Sequence, residues 1–531
     1  MSPALDLSNG VSASLSNGHS LPHTNGLHTN GGSHPLKSKP TPPPHTDGFS
    51  TLAIHTGSHP DPSTGAVIPP ISLSTTFAQS SPGVHLGFEY SRSDNPNRRA
   101  LEELLASIEV GGKEGLGFAS GSAATGVVVQ ALGGARVVEK EGRDGERVRD
   151  VEVPHVLSVN DVYGGTYRYL KRVASEGQGL DVTLLDIENA TEEDIRAAIR
   201  RNTKLIWLES PTNPTLKTLP IPLIARIARE PLPGSSSVPI LLGADLVLHS
   251  LTKYVNGHSD VVMGGVIVPD PSSHPAPQSL VGRNPEARQE QAKKFYEKLR
   301  FLQNATGAIP SPYDCWLAQR GAKTLGLRMK AHGVNGLKVA KVLEAHPLVQ
   351  KVIYPGLPSN PGYKQAWANL SSHARRWIEE EVVPLSSKST TSSAASSYAP
   401  TPLSPPSPLS STDSLPPSPL DPSSSSPADH ATPPRDGFPF SGMVSFSLSS
   451  YDAAVAFLQK SRLFTLAESL GGVESLAEHP ASMTHGGIPR AERIAIGIDD
   501  GLVRLSVGIE EAEDLVEDVV QALDYVAGLG L

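Results

Sequence analysis

The chain has 531 residues, enough for more than one domain and a sizeable core. Its 45 Lys+Arg against 54 Asp+Glu leave a net charge of −9, which removes any electrostatic reason to expect a nucleic acid or an anionic membrane as partner. The lone cysteine, Cys315, excludes an intramolecular disulfide and a Cys-based metal cluster, suits a reducing compartment and reads as a buried structural thiol.

Residues 1–48 are Ser, Asn, Gly, Pro and His without aliphatic periodicity, the composition of a disordered tail. His19, His23, His28, His34 and His45 lack the fixed spacing of a metal site. No basic segment followed by an apolar run marks a secretory signal, and the longest uncharged stretch, Leu116 to Ala135, is too weakly apolar to span a membrane. The expectation is a soluble cytoplasmic protein whose partners are small molecules or proteins.

"LGFASGSAATGVVVQAL" reads as strand, small-residue turn and helix. The polar stretch Glu139 to Val151 reads as an insertion. "TKLIWLES" (203–210), a continuous apolar run before the turn "PTNPT", predicts a buried strand of a parallel sheet. A second apolar strand, "LVLH", delivers Lys253 into a polar turn, and Pro269 to Lys293 reads as another polar insertion. A Ser-Pro-rich block at about 386–435 cannot bury enough apolar surface to fold and interrupts a domain whose pattern continues on both sides. "LVRLSVGIE" (502–510) alternates like a half-buried strand, and "EDLVEDVVQALDYV" carries Leu515, Val516, Val519 and Leu523 at helical spacing. The pattern is α/β first and α+β second, hence two domains.

Two places offer chemistry. Ser120, Gly121 and Ser122 lie where a strand turns into a helix, so backbone N–H groups there can converge on an anion or merely form a tight turn. Ser250 and Thr252 flank the residue before Lys253, which suits a phosphate beside a Schiff-base lysine. An apolar approach strand would lower that amine's pKa. Taken alone, the same residues also describe a surface lysine after a strand.

The stretches "SLSTTF", "FEYSRSDNPNR", "FASGSAAT", "DVYGGTYRY", "ESPTNPTLK", "HSLTKYVNGHSDVV", "RFLQNATGAIPSP", "FTLAESLGGVESLAEHPASMTHGGIP" and "VRLSVGIE" together resemble the pyridoxal-phosphate enzymes of cysteine and methionine metabolism, and among them the fungal γ-lyases. The resemblance covers the chain from about Gly48 to its end, outside the low-complexity insertions. It implies an α/β fold of the type I pyridoxal-phosphate transferases, a mostly parallel central sheet flanked by helices with a smaller α+β C-terminal domain. The implied division is a tail (1–48), an arm reaching a neighbouring subunit (49–100), a large cofactor-binding domain (101–306) and a C-terminal domain (307–531).

The resemblance also implies roles. Lys253 would bind pyridoxal 5'-phosphate covalently and then move protons. Gly121, Ser122, Ser250 and Thr252 would hold the phosphate, joined by Tyr90 and Arg92 of a neighbouring subunit, since an arginine fork grips phosphate bidentately. Tyr163 would stack on the ring and protonate the departing sulfur; Asn213 would contact the ring hydroxyl. Arg504, Ser469 and Asn213 would clamp the substrate α-carboxylate. Shared sites imply a dimer at least, and commonly a homotetramer built as a dimer of dimers. Glu89 and Glu468, two carboxylates at the distal end of the substrate, match the distal ammonium of cystathionine and follow the γ-lyase pattern. Gly165 stands where methionine γ-lyases carry a cysteine. The implied reaction is γ-elimination of L-cystathionine to L-cysteine, 2-oxobutanoate and ammonia. A γ-synthase or O-acetylhomoserine sulfhydrylase-like activity, or an impaired homologue, are the alternatives.

The pattern breaks once. Family members carry, before the lysine strand, a stretch resembling "VVDNTFLSPY" whose aspartate pairs with the pyridine nitrogen. Here "SVPI" runs straight into "LLGADLVLHS", so most of a central strand and its acid are expected to be missing between Ile240 and Leu241. Asp245 belongs to the next strand and does not replace that acid.

Overall fold

The computed structural model describes residues 47–109, 111–141, 147–228, 246–270, 285–383 and 432–531, which lie within one unit, Asp47–Leu531. The expected tail up to Thr46, the Ser-Pro-rich block up to Ala431 and the break between Ile240 and Leu241 fall outside these residues, as does Asp245.

Phe49–His55 (α1) is followed by an arm whose only strands are the short hairpin of Gln79–Ser81 (β1) and Val84–His85 (β2), both exposed. Pro96–Ile108 (α2) starts sharply because the Asn95 side chain accepts from the Asn97 N–H and Pro96 supplies a preset φ at the first turn. Its buried face, Leu101, Leu104 and Leu105, packs with Leu251, Met263 and Cys315. Cys315 is fully buried, and burial pushes its thiol far above the ordinary range, as expected of a structural thiol.

Gly112–Phe118 (β3) leads through a turn into Gly121–Gln130 (α3). Arg136–Glu141 (β4) and Arg147–Glu152 (β5) then pair antiparallel. The polar stretch expected as an insertion loop is thus a two-stranded ribbon, tied by Arg136 Nη2 at 2.7 Å from Glu152 Oε2. The strands His155–Val159 (β6), Asp181–Leu185 (β7) and Thr203–Trp207 (β8) follow, then Val247–Ser250 (β9) and Gly264–Pro269 (β10). Helix Pro285–Thr306 occupies part of the second expected insertion.

These strands make two separate sheets. One is parallel in the order β7-β6-β8, and the other is antiparallel in the order β3-β10-β9. In the first, β6 is buried throughout and His155 ties all three strands: Nδ1 is 2.8 Å from Thr203 Oγ1 and Nε2 2.9 Å from Thr183 Oγ1. Burial lowers the pKa of that imidazole, keeping it neutral. Among the described residues β8 and β9 are each paired on one side, although Trp207 of β8 and Leu248 of β9 pack against the same cluster around Phe118, Val128 and Val266. "TKLIW" is thus half-buried instead of fully covered, and among the described residues no strand lies beside its outer edge.

The second half is built on one continuous five-stranded sheet. Lys351–Ile353 (β11), Met443–Ser447 (β12), Thr465–Leu466 (β13), Leu476–Glu478 (β14) and Leu502–Ser506 (β15) run in the order β11-β12-β15-β14-β13. Strand β15 is buried at every position rather than half-buried, since Val503 and Leu505 join a core with Phe446 and Phe457 while Leu502 packs with Met443 and Ile498. In helix Ala512–Gly528, Leu515, Val519 and Leu523 are buried and Val516 lies at the margin, the expected amphipathic face. No helix among the described residues is long and apolar enough to cross a membrane.

Candidate active site

The lysine turn is set by β9 and held from below. Arg328 donates to the carbonyls of Tyr254 at 2.6 Å and Val255 at 3.1 Å, which satisfies the turn's backbone. Tyr254, partly buried next to Lys253, accepts from the Gly442 N–H at 3.1 Å and so pins the turn to the second half of the chain. Lys253 Nζ donates to Ser469 Oγ at 2.9 Å. Burial, then the nearby Arg504 guanidinium, lower the lysine's pKa, while Glu478 and Glu468 oppose the shift. That is the environment in which an amine becomes a nucleophile and base.

At the same end of the sheet, where β3 and β9 finish on either side of Gly264, Ser120 caps α3 by accepting from the Ala123 N–H at 3.0 Å, which leaves the Gly121 and Ser122 amides at the helix start. A Cβ on Gly121 would come within 3.3 Å of the Ser250 Cβ and 3.4 Å of its hydroxyl, so glycine here keeps a small concavity between helix and strand. Thr252 is more committed than expected: its hydroxyl accepts from the Met263 N–H at 2.9 Å and lies 3.3 Å from the Met263 carbonyl.

The second half supplies Arg504, only 3% exposed. Antiparallel pairing fixes its neighbours: Ser445 of β12 on one side and Glu478 of β14 on the other. Arg504 Nη1 donates to Asn213 Oδ1 at 2.7 Å, Nη2 donates to the Ser469 carbonyl at 2.7 Å, and Nη1 lies 2.9 Å from Glu478 Oε1. Ser445 Oγ donates to the Pro214 carbonyl at 2.8 Å, holding the Asn213 turn to the same sheet. Ser469 sits at φ 102°, an uncommon conformation for a non-glycine residue that costs about 1–3 kcal/mol. The two bonds from Lys253 and Arg504 fix it there. Ser469 thus faces both the candidate nucleophile and the candidate carboxylate grip.

Lys253, Ser469, Arg504 and Asn213 are therefore one connected cluster. Glu468 is exposed but close enough to act electrostatically on Lys253, Glu478 and Arg504. Tyr163, 44% exposed, has its N–H bonded to Glu209 Oε2 at 3.1 Å and its side chain acts electrostatically on Arg504. Glu89 and Tyr90 are exposed on the arm, and Arg92 bonds Asn304 at 3.1 Å with its guanidinium 5.4 Å from the Tyr90 ring. Within one chain the side-chain contacts of Tyr90 and Arg92 lie with each other and with Asn304, not with the lysine.

Several buried groups lacked a sequence signal of their own. Glu209 is enclosed and pushed up to about 8 by burial, with Asp161 adding to the shift. Asp161, whose Oδ2 accepts from Thr215, leaves Oδ1 buried without a partner. Glu478, Thr484 and His485 sit inside "ESLAEHPASMTHGG", and one available hint was an acid and a histidine in a stretch otherwise rich in apolar and small residues.

A half-buried lysine with a lowered pKa, a helix start beside it and a buried arginine joined to it through Ser469 suit a pyridoxal-phosphate enzyme of the α/β type. The family model for "Cys/Met metabolism PLP-dependent enzyme" matches residues 50–375 and 421–524, and the chain belongs to that family. It is 39% identical to a cystathionine gamma-lyase from Sus scrofa over 90% of this chain and 93% of that protein. A cystathionine beta-lyase from Coxiella burnetii is 38% identical, over 90% of this chain and 97% of its own length. The crystal structure of cystathionine gamma-lyase from yeast matches with a TM-score of 0.65 at 36% identity, covering 91% of this chain and 99% of that one. The protein is thus a pyridoxal-phosphate-dependent lyase of cysteine and methionine metabolism. The residues present fit the cofactor at its phosphate end, through the α3 start and Ser250, and at its reactive carbon, through Lys253. The expected loss of the acid at the ring nitrogen falls between Ile240 and Leu241, outside the described residues.

Proposed function

We propose that the chain cleaves L-cystathionine by γ-elimination to L-cysteine, 2-oxobutanoate and ammonia. The observation that carries this reading is the join of Lys253 to the Arg504–Asn213–Ser469 cluster, with the Glu468 carboxylate beside it. When bound, pyridoxal phosphate supplies an electron sink for charge developing at the substrate Cα. Gly121, Ser122, Ser250 and Thr252 would hold its phosphate end, Tyr163 would stack on it and Asn213 would contact its ring hydroxyl. Arg504, with Ser469 and Asn213, grips the substrate α-carboxylate and fixes which Cα bond is weakened. Lys253 Nζ takes the Cα proton and returns protons further along the chain, and Tyr163 protonates the departing sulfur. Glu468 attracts the distal ammonium of cystathionine and repels an anionic acyl group, which favours the lyase over a γ-synthase or an O-acetylhomoserine sulfhydrylase-like activity.

Tyr90, Arg92 and Glu89 complete this site from a second copy, as a homodimer or a tetramer built of two dimers. The arm that bears them supports this: Val67, Leu73 and Leu86 are 70%, 68% and 78% exposed, an apolar burden that a partner would cover. The lone buried thiol supports a cytoplasmic setting. One second reading has its own observation. The edges of β8 and β9, unpaired among the described residues, together with the acid expected to be missing before β9, favour a catalytically impaired homologue that folds but handles the cofactor poorly. Purified protein given pyridoxal phosphate should release 2-oxobutanoate from L-cystathionine and none from L-methionine. Release from methionine, or γ-replacement of an acylated homoserine at a higher rate, would sink the lyase assignment. Folded protein without cofactor uptake selects the impaired homologue.

A further inference from the structure

We propose that Glu478, Thr484 and His485 are positioning residues that lock the substrate-carboxylate clamp, linking Arg504 to Asn213 through a ring of close polar contacts. The proposal rests on the reading of Arg504 as that clamp. Around the ring, Arg504 Nη1 reaches Asn213 Oδ1 at 2.7 Å and Glu478 Oε1 at 2.9 Å. Thr484 Oγ1 lies 2.9 Å from the same Glu478 oxygen and 2.9 Å from His485 Nδ1, and its one proton serves either of these acceptors at a time. His485 Nε2 closes the circuit on the Asn213 carbonyl at 3.1 Å. A carbonyl only accepts, so Nε2 carries a proton. Arg504 and Asn213 are thus held twice, once by their direct bond and once through the other three residues.

Stability gives a poor reason for this arrangement. Glu478 and His485 are 1% and 0% exposed, and among the described residues Glu478 Oε2 is buried with no hydrogen-bond partner, so its carboxylate is desolvated without being fully satisfied. A buried ion pair of that kind is generally no more stable than apolar residues of equal volume. It does fix geometry. The cross-strand register sets Glu478 opposite Arg504, and the loop that follows bears on the tyrosine turn, where a Cβ on Gly164 would come within 2.5 Å of the Thr484 carbonyl. One short segment therefore braces Arg504, Asn213 and the start of the Tyr163 helix. A guanidinium held at one end by a fixed carboxylate keeps its remaining donors aimed in one direction, which is what recognition of a planar carboxylate demands.

The test measures dissociation constants on the full chain with pyridoxal phosphate added, by calorimetry. The ligands are L-2-aminobutyrate, which has no leaving group, and 1-propylamine, which lacks only its α-carboxylate. Glu478→Gln keeps size and an acceptor but removes the charge, and Thr484→Val removes the bridge at constant shape. Each should weaken L-2-aminobutyrate by about tenfold, the value of one charged hydrogen bond's orientation, and leave propylamine unchanged. Thr484→Ser should restore the native constant. If Arg504→Gln weakens L-2-aminobutyrate selectively while Glu478→Gln and Thr484→Val leave both constants native, or weaken both ligands equally, the positioning role is wrong. If Arg504→Gln leaves the ratio of the two constants unchanged, or the native chain does not prefer the carboxylate, the clamp reading itself fails and the proposal falls with it.

Discussion

The two halves of this molecule solve the same problem unequally. The C-terminal sheet has no interruption: β12 and β15 lie inside it, buried along their length, and Arg504 stands between two strand neighbours. The cofactor half is divided, with Lys253 following the very strand, β9, whose outer edge is unpaired among the described residues. A site can therefore have a rigid grip on one reactant and a seam beside the other. Unpaired ladder groups at such a seam cost free energy wherever water does not reach them, and they are also where local opening starts.

The largest expected contrast is catalytic. Lys253→Ala, at the seam, should lower turnover by about 10² to 10⁴-fold, the range for a lost acid-base group. Ser469→Ala, its partner from the intact half, should cost about tenfold or less, the value of one hydrogen bond. Equal losses in cystathionine turnover would show that the lysine has no chemical role of its own.

Stability gives the next contrast. Phe446, fully buried in β12 with its ring 5.1 Å from Phe457, should cost about 3–5 kcal/mol when changed to Ala. Leu248→Ala on the half-buried β9 should cost about 1 kcal/mol. Urea unfolding measures both, and a Leu248 penalty as large as that of Phe446 would mean that the edge is covered after all.

The smallest contrast is one of sign with pH. Glu209, on the cofactor side, is pushed up to about 8 from its ordinary 4.5, so its contribution is whole below 4.5 and is lost as pH rises towards 8. His485, on the clamp side, is lowered to about 4 from 6.5 by burial and then by Arg504, so its contribution is whole above 6.5 and is lost as pH falls towards 4. Glu209→Gln should therefore stabilise the protein increasingly on the alkaline side of this range, and His485→Gln increasingly on the acid side, each by on the order of a few kcal/mol. Thermal midpoints against pH with parallel slopes for the two variants would contradict the difference between the halves.

What could be read beforehand follows how local each feature is. The start of α3, the Lys253 turn and the amphipathic face of Leu515, Val519 and Leu523 are written in neighbouring residues, and the structure has them. Arg504 facing Glu478 depends on antiparallel register between strands more than twenty residues apart, which no local pattern carries. Complete burial of β15 depends on what covers each face. The ribbon of β4 and β5 was hidden because its charged, exposed strands look like a loop when no core demands alternation. Tyr90, Arg92 and Glu89 carry the family pattern, yet one chain gives them no lysine to meet.

Cys315 has a practical consequence for the study of that arm. With a single cysteine in the whole sequence, fully enclosed and with its thiol held far from ionisation, the protein is chemically silent to thiol reagents while folded. A cysteine placed at Leu86 would be its one reactive handle. A fluorophore or spin label there would report the arm's surroundings against a blank background, with the native cysteine left in place.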